Sequence, residues 1–144
     1  MQIARHTDYA LRLLMHVARA EQGGMAGRVQ VGEVAWAQGI STSHLMKVAN
    51  RLAHLGIIQT SRGRGGGVRL ACPADQINLA DVVCGTEPST AMVDCTDCDL
   101  LAGGCRLPPI FDQAFDAFRE VLASYSLADL LASPDFISSA FVRT

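Results

Sequence analysis

The sequence predicts a mainly α fold with a small β-hairpin wing: a winged helix-turn-helix followed by a long C-terminal dimerisation helix. Three observations predict it. Two short helical patterns meet at "QGIST" (38–42), where Gly39 stops one helix and Ser41 caps the next. Two alternating runs flank the glycine-rich tip "SRGRGGG" (61–67), the mark of a hairpin. Near the C-terminus, Phe111, Phe115, Phe118, Leu122 and Tyr125 recur at spacings of 4, 3, 4 and 3, a heptad-like seam.

Each element follows in order. Residues 3–20 form the first helix, with Ala10, Leu13, Leu14 and Val17 at helical spacing and Gly23-Gly24 closing it. "VGEVAWAQGI" (31–40) is a short second helix, and "TSHLMKVANRLAHLG" a third that runs to Gly56. Two helices joined by a short Gly-containing turn make a helix-turn-helix. Leu45, Val48, Leu52 and Leu55 are the buried stripe of the third helix; His44, Lys47 and Arg51 share another face. In the hairpin (57–71), Ile58/Thr60 and Val68/Leu70 alternate with period two. "INLADVVCG" (77–85) is a short helix with Asn78 as its cap, and about twenty residues without periodicity follow. Pro109 opens the last helix, which runs to about Ser126; Ile110, Ala114, Ala117 and Val121 widen its apolar face. The chain thus divides into a winged helix-turn-helix DNA-binding domain (1–72), a short helix with a cysteine loop (73–108), the dimerisation helix and a short helix after it (109–132), and a tail (133–144).

The chain has 144 residues, 49% of them hydrophobic, with no biased tract or internal repeat. Charges interrupt every apolar segment, so neither a signal peptide nor a membrane span is expected. A cytoplasmic protein keeps its thiols reduced, and clustered cysteines there point to metal or redox chemistry rather than disulfides. The net charge of −2 hides a division: residues 1–72 carry nine Lys/Arg against three Asp/Glu, residues 73–144 three against eleven. A basic half suits double-stranded DNA; an acidic half has another task.

In the basic half, a helix entering the major groove would present Ser41, Thr42, Ser43, His44, Lys47 and Arg51 to bases and phosphates. Arg62 and Arg64 at the wing tip suit a minor groove. A nucleotide-phosphate loop is excluded at these glycines, because neither a GK[ST] sequence nor a helix follows them. Nothing here points to an enzyme.

The acidic half holds "VDCTDCDLLAGGCRLPP" (93–109), with Cys95, Cys98 and Cys105 among Asp94, Asp97 and Asp99. A thioredoxin-like enzyme is disfavoured, since the carboxylates would raise the thiol pKa and no βαβ pattern exists. Three readings stay open: a disulfide redox sensor, a structural zinc site lacking one ligand, and an iron–sulfur cluster held by three thiolates and one other group. Cys72 and Cys84 are expected to be buried small hydrophobes.

"HTDYALRLLMHVA", "STSHLMKV", "RGRGGGVRL", "LADVV" and a cysteine cluster ending in "CRL" together resemble the NsrR branch of the Rrf-type winged-helix regulators, to which the IscR and RirA types also belong. The resemblance spans the chain to about Leu131. It implies a homodimer that represses transcription from a DNA operator, and an iron–sulfur cluster (4Fe–4S before 2Fe–2S) that nitric oxide attacks. It also implies ligands Cys95, Cys98 and Cys105 from one subunit and Asp8 from the partner, Asp8 matching an aspartate in the family's first helix. From residues alone Asp8 reads as an ion-pair partner for Arg5 or Arg12, and His6 and His16 are weaker ligand candidates. The family spaces its first two cysteines more widely than the two residues found here. The RirA and IscR types offer iron or cluster status as the alternative signal.

Overall fold

A computed structural model describes residues 2–24 and 27–132; the tail read at 133–144 lies outside the described residues. Five helices and one hairpin follow in the expected order: α1 (Arg5–Gln22), α2 (Val31–Gln38), α3 (Thr42–His54), β1 (Ile58–Ser61), β2 (Gly67–Leu70), α4 (Leu79–Thr86) and α5 (Leu107–Ala123). Single 3-10 turns occupy Ala74–Gln76, Asp99–Gly103 and Ala128–Leu131.

The core is the meeting of three apolar stripes. α1 contributes Ala10, Leu13, Leu14 and Val17, α2 contributes Val34 and Ala35, and α3 contributes Leu45, Val48 and Leu52, all fully buried. The turn between α2 and α3 is set locally. Gly39 adopts the left-handed φ of 66° that ends α2 without a Cβ penalty. Two residues later the Ser41 hydroxyl accepts the His44 N–H at 3.3 Å and starts α3.

The wing is antiparallel, pairing Ile58 with Leu70 and Thr60 with Val68, so that Ile58, Val68 and Leu70 all turn inward. Val29, just before α2, adds a third edge by exchanging two backbone bonds with Val68 (2.9 and 2.8 Å). The Gln30 amide donates to the Gly66 carbonyl, and Glu21 Oε1 accepts the Leu70 N–H at 2.9 Å. The hairpin is therefore tied to α1 and α2 and does not swing free.

After α5 the chain returns to the core. Leu127 and Leu131 are buried, the Leu127 N–H donates to Ile77 O at 2.8 Å, and the Leu79 N–H donates to Tyr125 O at 3.1 Å. Asn78 caps α4 as expected, accepting from the Ala80 N–H, while its amide donates to Ala123 O at 2.7 Å.

Three local expectations differ. α5 begins at Leu107, two residues before Pro109, because the first turn of a helix leaves its N–H groups unpaired and so tolerates Pro108 and Pro109. The cysteine segment contains a helical turn, Asp99–Gly103, that no periodicity announced. Leu55, Cys72 and Cys84 are half-buried, lying at the rim of the core.

Gly66 and Gly67 both require side-chain-free backbone; at Gly67 φ is 142°, and a Cβ there would sit 2.5 Å from the Val29 carbonyl oxygen. Gly67→Ala is expected to cost about 1–3 kcal/mol. Chemical denaturation would show this as a lowered midpoint, with hydrogen exchange accelerated at Val29 and Val68 before the helices.

Candidate nucleic-acid interface and thiol site

α3 turns one stripe to the core and leaves Thr42, Ser43, Met46, Lys47, Asn50, Arg51 and His54 exposed. Of the residues expected to face DNA, Thr42, Ser43 and Lys47 stand on this outward face. Ser41 is occupied as the cap, and its hydroxyl lies 2.9 Å from that of Ser43. His44 turns instead to α1, edge-on to Tyr9 with centroids 5.0 Å apart and 6.3 Å from His6. Partial burial, then the neighbouring His44 and Arg51, lower the pKa of His6. Arg51 reaches back to α4, donating from Nε to the Gly85 carbonyl at 2.8 Å.

Met46 and Asn50 were not singled out from the sequence. With Gln30, Thr60 and Arg62 they line a groove of about 410 Å³ between α3 and the wing. The signal for them was the fourfold step Thr42, Met46, Asn50, masked because Met46 reads as a core residue. An asparagine amide at such a position matches the donor–acceptor pair of an adenine edge. Arg62 and Arg64 are exposed at the wing tip, carried on a backbone whose Gly63 and Gly65 have φ of 88° and 76°.

The cysteine segment forms a tight local loop. The Thr96 N–H donates to Asp94 Oδ1 at 2.9 Å, the Cys98 N–H to Cys95 O at 3.3 Å, and the Cys105 N–H to Leu100 O at 3.3 Å. Asp97, between the first two thiols, takes a left-handed φ of 59°. The Leu107 N–H points at Cys105 Sγ, 3.5 Å away, which joins the last thiol to the start of α5. Cys98 and Cys105 both lie within electrostatic reach of Cys95. Partial burial, then Cys98, Cys105, Asp94 and Asp112, push the Cys95 thiol above its ordinary pKa. So concentrated a negative potential disfavours free thiolates and suits a strongly cationic centre.

Among the described residues no three His, Cys, Asp or Glu side chains converge as a site for one metal ion. Cys95, Cys98 and Cys105 are free thiols and bring the soft sulfur donors that an iron–sulfur cluster takes. Asp8 lies on α1, where its Oδ2 meets Arg12 Nε at 3.0 Å.

α5 buries none of its residues. Phe111, Phe115 and Leu122 are half-covered by their own chain, and Phe115 and Phe118, 6.0 Å apart, line a crevice of about 440 Å³ with Ile3, Val83 and Met92. Leu107, Ile110, Phe118, Val121 and Tyr125 form the uncovered flank, from 36% to 61% exposed. Within the expected seam, Phe111, Phe115 and Leu122 are half-covered, while Phe118 and Tyr125 are exposed.

A two-stranded wing tied to the helices and an outward polar face on α3 define a winged helix-turn-helix DNA-binding protein. Among the described residues no helix is long and apolar enough to cross a membrane. The sequence profile of the Rrf2 family, described as iron-dependent transcriptional regulators, matches residues 3–133, and the chain belongs to that family. It is 37% identical over 139 residues to the HTH-type transcriptional regulator NsrR of Shouchella clausii (94% of this chain, 91% of that protein). It is 36% identical over 141 residues to NsrR of Bacillus subtilis strain 168 (95% and 94%). In fold it is similar to CymR, the global cysteine regulator of B. subtilis, with a TM-score of 0.69 and 23% identity (90% and 95% covered). T. potens IscR likewise gives 0.69 and 21% (100% and 93%). The chain is a transcriptional regulator that binds DNA and not an enzyme.

Two outcomes test the site. Lys47→Ala and Arg64→Ala should each weaken binding to all duplexes and reduce the slope of log affinity against log salt by about one, as loss of one phosphate contact does. In the metal-free protein, iodoacetamide at neutral pH should label exposed Cys98 ahead of Cys95, whose raised pKa leaves less thiolate; the Cys95 rate should climb as pH rises. Peptide mass mapping reads the order.

Proposed function

We propose that this regulator is a cytoplasmic homodimeric repressor that carries an iron–sulfur cluster and releases its operator in response to nitric oxide. The observation that carries the reading is the trio of neighbouring thiols Cys95, Cys98 and Cys105, set in a chain alike over 94% of its length to a protein named NsrR. Those three side chains, with Asp8 of the partner subunit as the fourth ligand, would hold the cluster, 4Fe–4S in preference to 2Fe–2S. When bound, the cluster supplies an iron with one oxygen ligand, the kind of centre open to a small diatomic molecule.

The chain's own residues account for the rest. Asp8 has a second partner one turn away in Arg12, so its carboxylate stays paired when it is not a ligand. On the same helix Tyr9 and His6 rest on His44 at the start of α3. A change in how Asp8 is held therefore bears on α3 through side chains already in contact. A coupling of about 1–3 kcal/mol suffices to change operator affinity 5- to 150-fold. The uncovered flank of α5 would bring the two subunits together, with Phe111, Phe115, Phe118, Leu122 and Tyr125 on or beside the seam. Ser41, Thr42, Ser43, His44, Lys47, Arg51, Arg62 and Arg64 would form or support the DNA-facing surface.

The family's description as iron-dependent favours one second reading, in which iron or cluster status is the signal. Iron, sulfide and zinc per monomer, measured on protein purified without oxygen, decide first. Near-equal iron and sulfide with a visible band bleached by nitric oxide, as operator affinity falls, are expected. A band insensitive to the gas but lost on iron depletion supports the second reading. Zinc without sulfide would leave a zinc-stabilised DNA binder and end both.

Cys98→Ala should fail to hold a full cluster. Asp8→Ala should leave a folded dimer with an altered absorbance spectrum and faster cluster loss; an unchanged spectrum would remove Asp8 from the ligand set.

A further inference from the structure

We infer that Arg51 governs operator affinity as a positioning residue, through a joint at residues 85–87 that couples α3 to the root of the cysteine segment. Three consecutive residues build the joint. The Gly85 carbonyl accepts from Arg51 Nε at 2.8 Å, across 34 positions of sequence. Gly85 also lies hard against the C-terminal end of the same helix: a Cβ there would meet Leu55 Cδ1 at 2.7 Å and Cδ2 at 3.2 Å. Thr86 is buried and donates its hydroxyl to Val82 O at 2.7 Å, fixing the last turn of α4. Glu87 donates its N–H to Val83 O at 2.9 Å and accepts the Ala4 N–H on Oε1 at 2.8 Å. That bond supplies the start of α1 with a remote acceptor, because the Ala4 side chain cannot cap it.

The chain leaves regular structure directly after Glu87 and does not regain it until Asp99, beyond Cys95 and Cys98. Residues 85–87 are thus where the cysteine segment is rooted, and from that root one hydrogen bond runs to α3 and one to α1. A pull on the segment reaches α3 within its own subunit, independently of any contact from a partner. The guanidinium is suited to this: its Nε–H has a fixed direction in a planar fork, which a lysine ammonium lacks. An arginine on a phosphate would instead register its charge in the salt dependence of binding.

The coupling rests on the sensor reading above; the positioning role rests on DNA binding alone. The experiment separates the two. A duplex selected from random sequences by the unmodified protein is titrated by fluorescence anisotropy at several salt concentrations. Protein purified without oxygen is used, before and after metal removal by a chelator. Arg51→Lys keeps charge and stem and loses Nε–H. It should bind about tenfold more weakly, within the span of known couplings. Its salt slope should be unchanged, and its ratio of loaded to stripped affinity should fall toward one. Gly85→Ala, which alters no DNA-facing group, should do the same through Leu55, with thermal melts confirming that it folds; where it does not, Arg51→Lys decides.

Arg51→Lys at full affinity overturns the inference, as does Arg51→Ala lowering the salt slope by about one, the sign of a lost phosphate contact. A weakened Arg51→Lys whose loaded-to-stripped ratio stays at the unmodified value overturns the coupling. A ratio of one in the unmodified protein would sink the sensor reading and the coupling with it. The positioning role would then be judged on the affinity and slope of Arg51→Lys.

Discussion

The structure depends on one packing arrangement, the laying of α1 across α2 and α3. Leu13, Leu14 and Val17 from α1 meet Val34, Leu45, Val48 and Leu52 with no exposure left on any of them. At about 1.5–3 kcal/mol for each fully buried aliphatic side chain, this cluster is the largest favourable contribution the domain has. It is also what gives the rest a reference frame. The wing is pinned to the end of α1 through Glu21, the recognition surface is whatever face of α3 the cluster leaves outside, and Asp8 is displayed on the opposite face of the helix that closes the core.

Because α1 serves both purposes, the two charge-divided halves are not mechanically independent. The acidic half meets the basic half through a shared apolar core, to which Ile77, Val82, Leu127 and Leu131 contribute, and through polar bonds from Glu87 to the start of α1 and from Arg51 to Gly85. The directional polar bonds transmit orientation, whereas the apolar contacts mainly hold the halves together.

Much of the fold was legible in the sequence because its signals are local. Gly39 and Ser41 fix a helix end and a helix start with their own backbone and hydroxyl, and Asn78 does the same for α4; no distant residue is consulted. What was not legible depended on distant partners. His44 and Arg51 share a helix face with Lys47 and look like its companions, yet Tyr9 claims the first and Gly85 the second. No spacing within α3 encodes that. The α5 stripe is legible within the same limit: a heptad period marks an apolar stripe, but not which flank the chain's own Val83 and Ile3 will cover. Of the cysteine segment, the sequence announced the three thiols, while Asp97's left-handed turn and the Asp99–Gly103 turn had no periodic signature.

The way α5 is attached has a further consequence. Its C-terminal end is stitched to the start of α4 through Ala123, Tyr125 and Leu127, while its N-terminal end carries Cys105 and has no comparable anchor among the described residues. Seventeen residues make a rod of roughly 25 Å. A rod fixed at one end is a lever: a tilt of about 5° displaces its far end by roughly 2 Å, close to the length of one metal–sulfur bond. Rotation about that distant pivot would change the spacing of Cys105 from Cys95 and Cys98, and with it the angle at which α5 presents its apolar flank.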